Sequence, residues 1–120
     1  MYSMSQDIDS MTPIEDGFSW LFEKENMARH RADWMTGSDD VILEFLKDSG
    51  AGHNYQGIAN NFEDRGIDIS YKTITRRIPK LREAGLVRVL PGEGKYYAIT
   101  ERGEAYLEGE ADLRDLGEPE

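Results

Sequence analysis

Apolar residues recur at helical spacing through the middle of the chain. The first such stretch, DDVILEFLKDSG, carries them at positions one turn apart: Val41, Ile42, Phe45 and Leu46. Ser38 is the expected N-cap, because Asp39 and Asp40 behind it favour a helix N-terminus. Gly50 is expected to end this helix.

A second, shorter helix is predicted in YQGIANNFEDRG, where Ile58 and Phe62 provide the buried side. Asn54 stands directly before it and is the expected cap. The next residues, GIDIS, predict either an irregular connector or a short strand through Ile67 and Ile69.

A third helix is predicted to begin after Ser70, to run to Glu83 or Ala84, and to stop at Gly85. The stretches LVRVL and KYYAIT are rich in β-branched and aromatic residues, and PGEG between them predicts a hairpin. Thr100 is the expected cap of a last helix in ERGEAYLEGE. The predicted order is therefore helix, helix, helix, hairpin, helix.

Both ends of the chain differ from this middle part. Thr12 to Glu15 has the form of a capping box, which predicts a helix through GFSWLFEKENMARHRADWM. The acidic C-terminal tail favours either a frayed helix that uses Leu113 and Leu116 or a fully solvated segment. Four parts are expected: a flexible tail at 1–11, an extension with the predicted helix at 12–35, a domain at 36–109 and the acidic tail at 110–120.

Positive charge is concentrated in one short window. The chain of 120 residues has a formal net charge of -10. Residues 70–95 hold seven of the 14 Lys and Arg residues and only two acids, a net +5, whereas the other 94 residues carry a net -15. The acidity favours either disorder or adaptation to a salt-rich cytosol, and the apolar periodicity argues against disorder in the middle. A local basic patch still allows nucleic acid as a partner.

The third helix separates its side chains into two faces at about 100° per residue. Its predicted buried stripe consists of Ile74, Ile78, Leu81 and Gly85. Opposite that stripe lie Lys72, Arg76, Pro79 and Glu83, flanked by Thr73, Thr75 and Lys80, with Tyr71 and Arg77 near the edge of the buried stripe. Hydroxyls and cations are the side chains that reach phosphates and base edges, so this face suits DNA.

The same outer face is also compatible with simple solvation. The positive charge in an acidic chain, the short capped helix before it and the cations in the hairpin favour binding instead. Pro79 predicts a bend in the helix, which either sets how the helix enters a groove or is merely tolerated.

The predicted hairpin has the form of a wing packed on the third helix. Arg88 and Lys95 flank its loop, where they could contact phosphate or the minor groove. Tyr96 is either a further contact or a half-buried strand residue. The expected fold class is mainly α with a small β-hairpin wing, a winged helix–turn–helix.

Three stretches carry a resemblance to a known family: DDVILEFLKDSG, SYKTITRRIPKLREAGLVRVL and GKYYAITERGEAYLEGE. They resemble winged helix–turn–helix transcriptional regulators of haloarchaea, in the group related to the phi-H repressor of a halobacterial phage. RADWMTGSDD also resembles the usual opening of that group, so the resemblance covers residues 31–110. Pro79 departs from the usual polar residue at its position.

The resemblance implies a DNA-binding regulator that is often a homodimer on double-stranded DNA, and a repressor is expected. It places the start of the recognition helix at residues 70–77 and the wing at residues 91–95. The expected DNA contacts are Ser70, Tyr71, Lys72, Thr73, Thr75, Arg76, Arg77, Lys80, Arg88 and Lys95. Arg76 or Lys72 is expected to read guanine, and four further cations are expected to position the backbone: Arg77, Lys80, Arg88 and Lys95.

Other classes find little support in the sequence. The chain has no cysteine, two histidines and no metalloprotease, P-loop or dinucleotide-binding motif, so neither an enzyme nor a metal site nor a cofactor is expected. No apolar run reaches the length of a membrane span, no secretory signal is evident and no small-molecule ligand is indicated, so a cytoplasmic protein is expected. The alternative function is a winged-helix module that binds other proteins and not DNA.

Overall fold

The computed structural model describes residues 29–119. Within that range the elements are α1 (Gly37–Ser49), α2 (Tyr55–Asp64), α3 (Tyr71–Glu83), β1 (Val87–Val89), β2 (Tyr97–Ile99) and α4 (Glu101–Leu107). Their order confirms the predicted succession of three helices, a hairpin and a helix. The mainly α architecture with a two-stranded hairpin is that of a winged helix–turn–helix.

Helix α1 begins two residues before the predicted position. Its N-cap is Thr36, not Ser38. The backbone N–H of Thr36 donates to the Asp39 carboxylate at 2.9 Å, which is one half of a capping box. The expectation of Ser38 was wrong because the acid that closes this turn lies three residues after the cap and not directly behind it.

The caps of α2 and α3 are those predicted from the sequence. The Asn54 side chain accepts a hydrogen bond from the Gly57 N–H at 2.7 Å. Ser70 Oγ accepts one from the Thr73 N–H at 3.2 Å. Each side chain satisfies a donor that the first turn of a helix leaves without a partner.

The connector between α2 and α3 forms no strand. The Ile67 N–H donates to the Phe62 carbonyl at 2.8 Å, and Gly66 supplies the left-handed residue, with φ of 72°. Ile67 and Ile69 pack against the core while the backbone turns directly into the cap of α3. Of the two predicted forms, the irregular connector is the one found.

The hairpin is short and antiparallel. Its pairs are Val87 with Ile99, Arg88 with Ala98, and Val89 with Tyr97. His53 extends the sheet by one bridge, since its backbone exchanges hydrogen bonds of 3.0 and 2.8 Å with Tyr97. This bridge attaches the turn between α1 and α2 to the wing.

Helix α4 is held against the hairpin by its first turn. Thr100 Oγ1 accepts from the Gly103 N–H at 3.0 Å and donates to the Gly85 carbonyl at 2.6 Å. A Cβ atom at Gly103 would lie 2.5 Å from the Leu86 carbonyl oxygen, so only glycine permits this approach. The helix ends at Leu107, earlier than the stretch predicted for it.

The core extends beyond the predicted domain at 36–109. Ala32, Met35 and Leu113 are all at most 5% exposed and belong to the same cluster as the helices. Residues 29–35 are irregular, so the helix predicted through Met35 does not include them, and its earlier part lies outside the described residues.

The C-terminal segment packs back onto the start of the described chain. The Leu113 N–H donates to the His30 carbonyl at 2.9 Å, and Trp34 Nε1 donates to the Leu116 carbonyl at 3.2 Å. Between residues 110 and 119 the structure contains no helix. Neither predicted form, a frayed helix or a solvated tail, describes this segment.

Two acids at the start of α1 are buried. Asp39 is fully buried and Asp40 is 5% exposed. Asp40 accepts from the Tyr106 hydroxyl at 2.7 Å, and Arg31 donates to it at 2.9 Å. Buried carboxylates need such partners because desolvation is otherwise too costly.

We call this cluster the buried ionic junction. Its members are Arg29, Arg31, Asp39, Asp40, Arg77 and Tyr106. It connects the segment before α1 with three helices, α1, α3 and α4.

Candidate nucleic-acid interface

Helix α3 buries the stripe that its sequence predicted. Ile74, Ile78 and Leu81 are fully buried, and they fix which side of the helix faces the solvent. Lys72, Arg76 and Pro79 are exposed on the opposite side. The packing of three aliphatic side chains therefore orients the whole predicted contact face.

The hydroxyls at the start of α3 are engaged locally. Ser70 Oγ lies 3.1 Å from Thr73 Oγ1 while it caps the helix. Thr75 Oγ1 donates to the Lys72 carbonyl at 2.8 Å. A hydroxyl oxygen has two acceptor lone pairs, so these residues keep capacity for a further hydrogen bond.

Lys72 and Arg76 are the exposed cations of the first two turns of α3. Neither side chain forms a hydrogen bond or an ion pair with any described residue. They lie four residues apart, so they are neighbours on one face of the helix. A fork of guanidinium donors and a flexible ammonium are the groups that bind guanine edges and phosphates.

The wing carries two further cations of the same kind. Arg88 lies on β1 and Lys95 in the loop before β2, and both side chains are exposed without a polar partner in the described range. Gly92 and Gly94 turn the loop with φ of 123° and 78°, values that disfavour other residues. A compact loop of this kind places its flanking cations at the edge of the domain.

Arg77 does not lie free on this face. Its Nε donates to Asp39 Oδ1 at 2.8 Å and its Nη2 to Asp39 Oδ2 at 2.6 Å. Nη2 also donates to the Trp34 carbonyl at 3.2 Å. The hydrogen bonds to Asp39 raise the pKa of Arg77 above its ordinary value. The structure therefore gives the guanidinium an internal partner, where the sequence suggested a contact with the DNA backbone.

The Lys80 side chain also has internal partners, which lie in the C-terminal segment. Its Nζ donates to Glu118 at 2.8 Å and to the Pro119 carbonyl at 3.3 Å. The hydrogen bond from Lys80 lowers the pKa of Glu118 below its ordinary value. This pair is exposed, so a phosphate can compete with the carboxylate for the same ammonium.

Tyrosine rings connect the start of α3 to the wing. Tyr71 is 49% exposed, and its ring meets Tyr55 of α2 edge to face at 6.4 Å. Tyr55 stacks on Tyr97 of β2 at 5.0 Å, and the Tyr97 hydroxyl donates to that of Tyr55 at 3.1 Å. The stack couples the position of the first turn of α3 to that of the hairpin.

Lys and Arg side chains outside α3 and the wing have partners within the described residues. Described residues pair Arg29 with Glu44, Arg31 with Asp40, Lys47 with Glu108, and Arg114 with Asp112. Arg102 donates to the Ala84 carbonyl, and Arg65 lies over the ring of Phe45. Unpaired cations in the described part of the chain are thus concentrated on α3 and the wing.

Sequence reasoning missed one cation near this face and left open the form of one aromatic residue. Arg82 lies in the last turn of α3, and its exposed side chain forms no polar contact with the described residues. Tyr96 is 44% exposed and lies outside β2, beside Lys95. The charge count over residues 70–95 already included Arg82, and this was the available signal.

Other kinds of site have little basis in residues 29–119. They contain no cluster of three or more side chains that could hold a metal ion. None of their helices is long and apolar enough to span a membrane. A pocket of about 340 Å³ lies between α2 and the start of α3, and its lining includes the acids Glu63 and Asp68. These carboxylates disfavour an anionic ligand there.

Comparisons with known proteins agree with this geometry. Residues 27–119 match the family model of the winged helix-turn-helix phage repressor. A solved structure, that of the PhiH1 repressor-like protein from Haloarcula marismortui, superposes with a TM-score of 0.63 at 34% sequence identity. That match covers 76% of this chain and 97% of the other. No curated protein matches at a significant level.

Proposed function

The chain belongs to the winged helix-turn-helix phage repressor family, and we propose that it is a sequence-specific DNA-binding repressor of transcription. Membership supports a DNA-binding regulator in general terms. The finer proposal is that α3 enters the major groove as the recognition helix while the wing contacts the adjacent backbone. We propose no catalytic activity, and a place of action in the cytoplasm, where such a regulator meets its DNA.

One observation carries this proposal: the distribution of unpaired positive charge. Lys72, Arg76, Arg88 and Lys95 keep their charges free of described acids, although the chain holds 24 acids and only 14 Lys and Arg residues. Outside α3 and the wing, the Lys and Arg side chains of residues 29–119 have carboxylate, carbonyl or aromatic partners. Free cations in an acidic protein are suited to an external polyanion.

The contact set follows from the geometry of each side chain. We assign base reading to Lys72 and Arg76, because they are free and lie in the first turns of α3. Arg88, Lys95 and Arg82 position the phosphate backbone. Ser70, Tyr71, Thr73 and Thr75 stay in the set as contacts at the start of the helix. Arg77 leaves the set of direct contacts, and Lys80 joins it only when a phosphate displaces Glu118.

We further propose a homodimer adapted to high salt. Two copies related by a twofold axis can place their recognition helices in major grooves about 34 Å apart. The net charge of -10 and the Haloarcula relative both suit a salt-rich archaeal cytosol. Strong salt weakens phosphate contacts, so base contacts and shape then carry more of the binding.

The test is a selection of random duplex DNA by the purified protein in high potassium chloride. We expect an enriched, roughly palindromic motif that the double variant Lys72→Ala, Arg76→Ala no longer selects. The matched control is Arg65→Ala, Arg114→Ala, which removes two exposed cations away from α3 and the wing. Its selection should stay that of the unaltered protein.

Two results would overturn the proposal. A folded, dimeric protein that enriches no motif would favour a protein-interaction module. Equal losses in the two double variants would show that net charge alone, and not the face of α3, governs binding.

A further inference from the structure

A buried acid outside the DNA-facing surface holds the recognition helix in position. Asp39 lies in the first turn of α1 and is fully buried. Both of its oxygens accept hydrogen bonds from Arg77 of α3, at 2.8 and 2.6 Å. Oδ2 also accepts from the Thr36 backbone, so the carboxylate is fixed on its own helix as well.

This contact constrains rotation as well as distance. Two parallel bonds between a guanidinium and a carboxylate define a plane, so the fork resists both sliding and twisting of α3. The Trp34 carbonyl binds the same Nη2 at 3.2 Å, and the Trp34 ring lies 5.8 Å from the guanidinium carbon. Arg77 directly follows Arg76, so the constraint acts within the first two turns of the proposed reading face.

We propose that Asp39 is a positioning residue for sequence recognition, acting through Arg77 on the angle at which α3 presents Lys72 and Arg76. This inference rests on the proposed function. It assigns to a side chain that touches no DNA a share of the discrimination between sequences. Bonds to base edges depend on sub-ångström placement, whereas attraction to phosphates depends mainly on charge.

The neighbouring acid provides a matched control. Asp40 lies on the same helix and is also buried, but its partners are Arg29, Arg31 and Tyr106, none of which lies on α3. An Asp40→Asn variant therefore removes a buried carboxylate and its charge without touching the recognition helix. We expect both variants to lose stability, but only Asp39→Asn to change the angle of α3.

The experiment measures the ratio of affinities for the selected duplex and for a scrambled duplex at fixed potassium chloride. We expect Asp39→Asn to lower this ratio about tenfold, the effect of disturbing one bidentate base contact. Nonspecific affinity should hold or rise, because Arg77 is then released. Asp40→Asn should leave the ratio within about twofold of the original. Circular dichroism confirms that each variant is folded under the conditions used.

Arg77→Lys provides a second route if Asp39→Asn does not fold. Lysine keeps the charge and the ion pair but loses the two-pronged geometry, so the ratio should again fall with nonspecific affinity unchanged. Equal ratios in Asp39→Asn, Arg77→Lys, Asp40→Asn and the unaltered protein would overturn the inference. A wild-type ratio near one would instead overturn the proposed function itself.

Discussion

The buried ionic junction and the exposed face of α3 and the wing use positively charged side chains for opposite purposes. In the junction, each charge has a partner: Arg77 and Asp39 are 15% and 0% exposed and 2.6 Å apart. On the exposed face, Lys72, Arg76 and Arg88 have no acid within reach among the described residues. A charge is committed to the fold where it is paired and buried, and is available to a partner where it is not.

The difference shows why net charge is a poor guide to the partner of this protein. The chain carries -10 overall, yet the free cations of residues 29–119 lie on one helix and one hairpin. Electrostatic attraction acts within about 10 Å at moderate salt and over less in strong salt, so the local face decides.

The largest expected effect is a loss of stability when an acid of the buried ionic junction is replaced. Asp40→Ala should lower the free energy of unfolding by about 3–5 kcal/mol, because Arg29 and the Tyr106 hydroxyl would lose a buried partner. Arg76→Ala on the exposed face should change it by less than about 0.5 kcal/mol. Urea unfolding followed by circular dichroism measures both. Similar losses in the two variants would remove the distinction between junction and face.

A second effect concerns the wing and the salt dependence of binding. Replacing Arg88 and Lys95 with alanine should make the slope of log K against log salt shallower by about 2, one unit for each phosphate contact. The preference for one sequence over another should persist, since backbone contacts carry no sequence information. Titrations at several salt concentrations test this, and an unchanged slope would place the wing away from DNA.

A third effect concerns Tyr106 and alkaline pH. Burial, followed by the hydrogen bond to Asp40, raises the pKa of Tyr106 above its ordinary value. The unfolded chain releases this proton first, so the contribution is complete below about pH 10 and is lost as the pH rises further. Tyr106→Phe should cost about 1 kcal/mol at neutral pH and show a shallower decline above about pH 10. An identical alkaline decline in both proteins would contradict this account.

The smallest expected effect concerns Lys80, the cation of α3 that pairs with Glu118. Glu118→Gln should strengthen DNA binding a few-fold at low salt, because no carboxylate then competes with the DNA phosphates for Lys80. Glu108→Gln is the control: it removes the same charge from the exposed Lys47–Glu108 pair, away from α3. Equal gains in the two variants would attribute the effect to net charge and leave no role for the contact at Lys80.

Local signals were sufficient to predict most of the elements. The caps Asn54, Ser70 and Thr100 act within one turn of their own positions, so the sequence contains their whole explanation. The buried stripe of α3 is likewise a property of helical spacing. These features required no knowledge of what lies elsewhere in the chain.

Contacts between distant residues could not be predicted in the same way. Arg77 and Asp39 are 38 positions apart, and Lys80 and Glu118 are also 38 apart. A helical wheel shows that Arg77 lies near the edge of the buried stripe. It does not show that the Asp39 carboxylate lies beside that edge. In the sequence, Leu113 similarly belongs to an acidic tail. Only the structure shows that its backbone donates a hydrogen bond to His30. Pro79 is exposed as predicted, and its bend stays a prediction.

The most direct test of the central claim is to map DNA contacts by nuclear magnetic resonance on the intact protein. Backbone amide shifts would be recorded while the selected duplex is added in potassium chloride. If α3 and the wing bind DNA, the largest changes occur at residues 70–76 of the cap and α3 and at residues 88–96 of the wing, with α4 little affected. Changes centred on α4 or the C-terminal segment, with α3 unmoved, would contradict this binding mode.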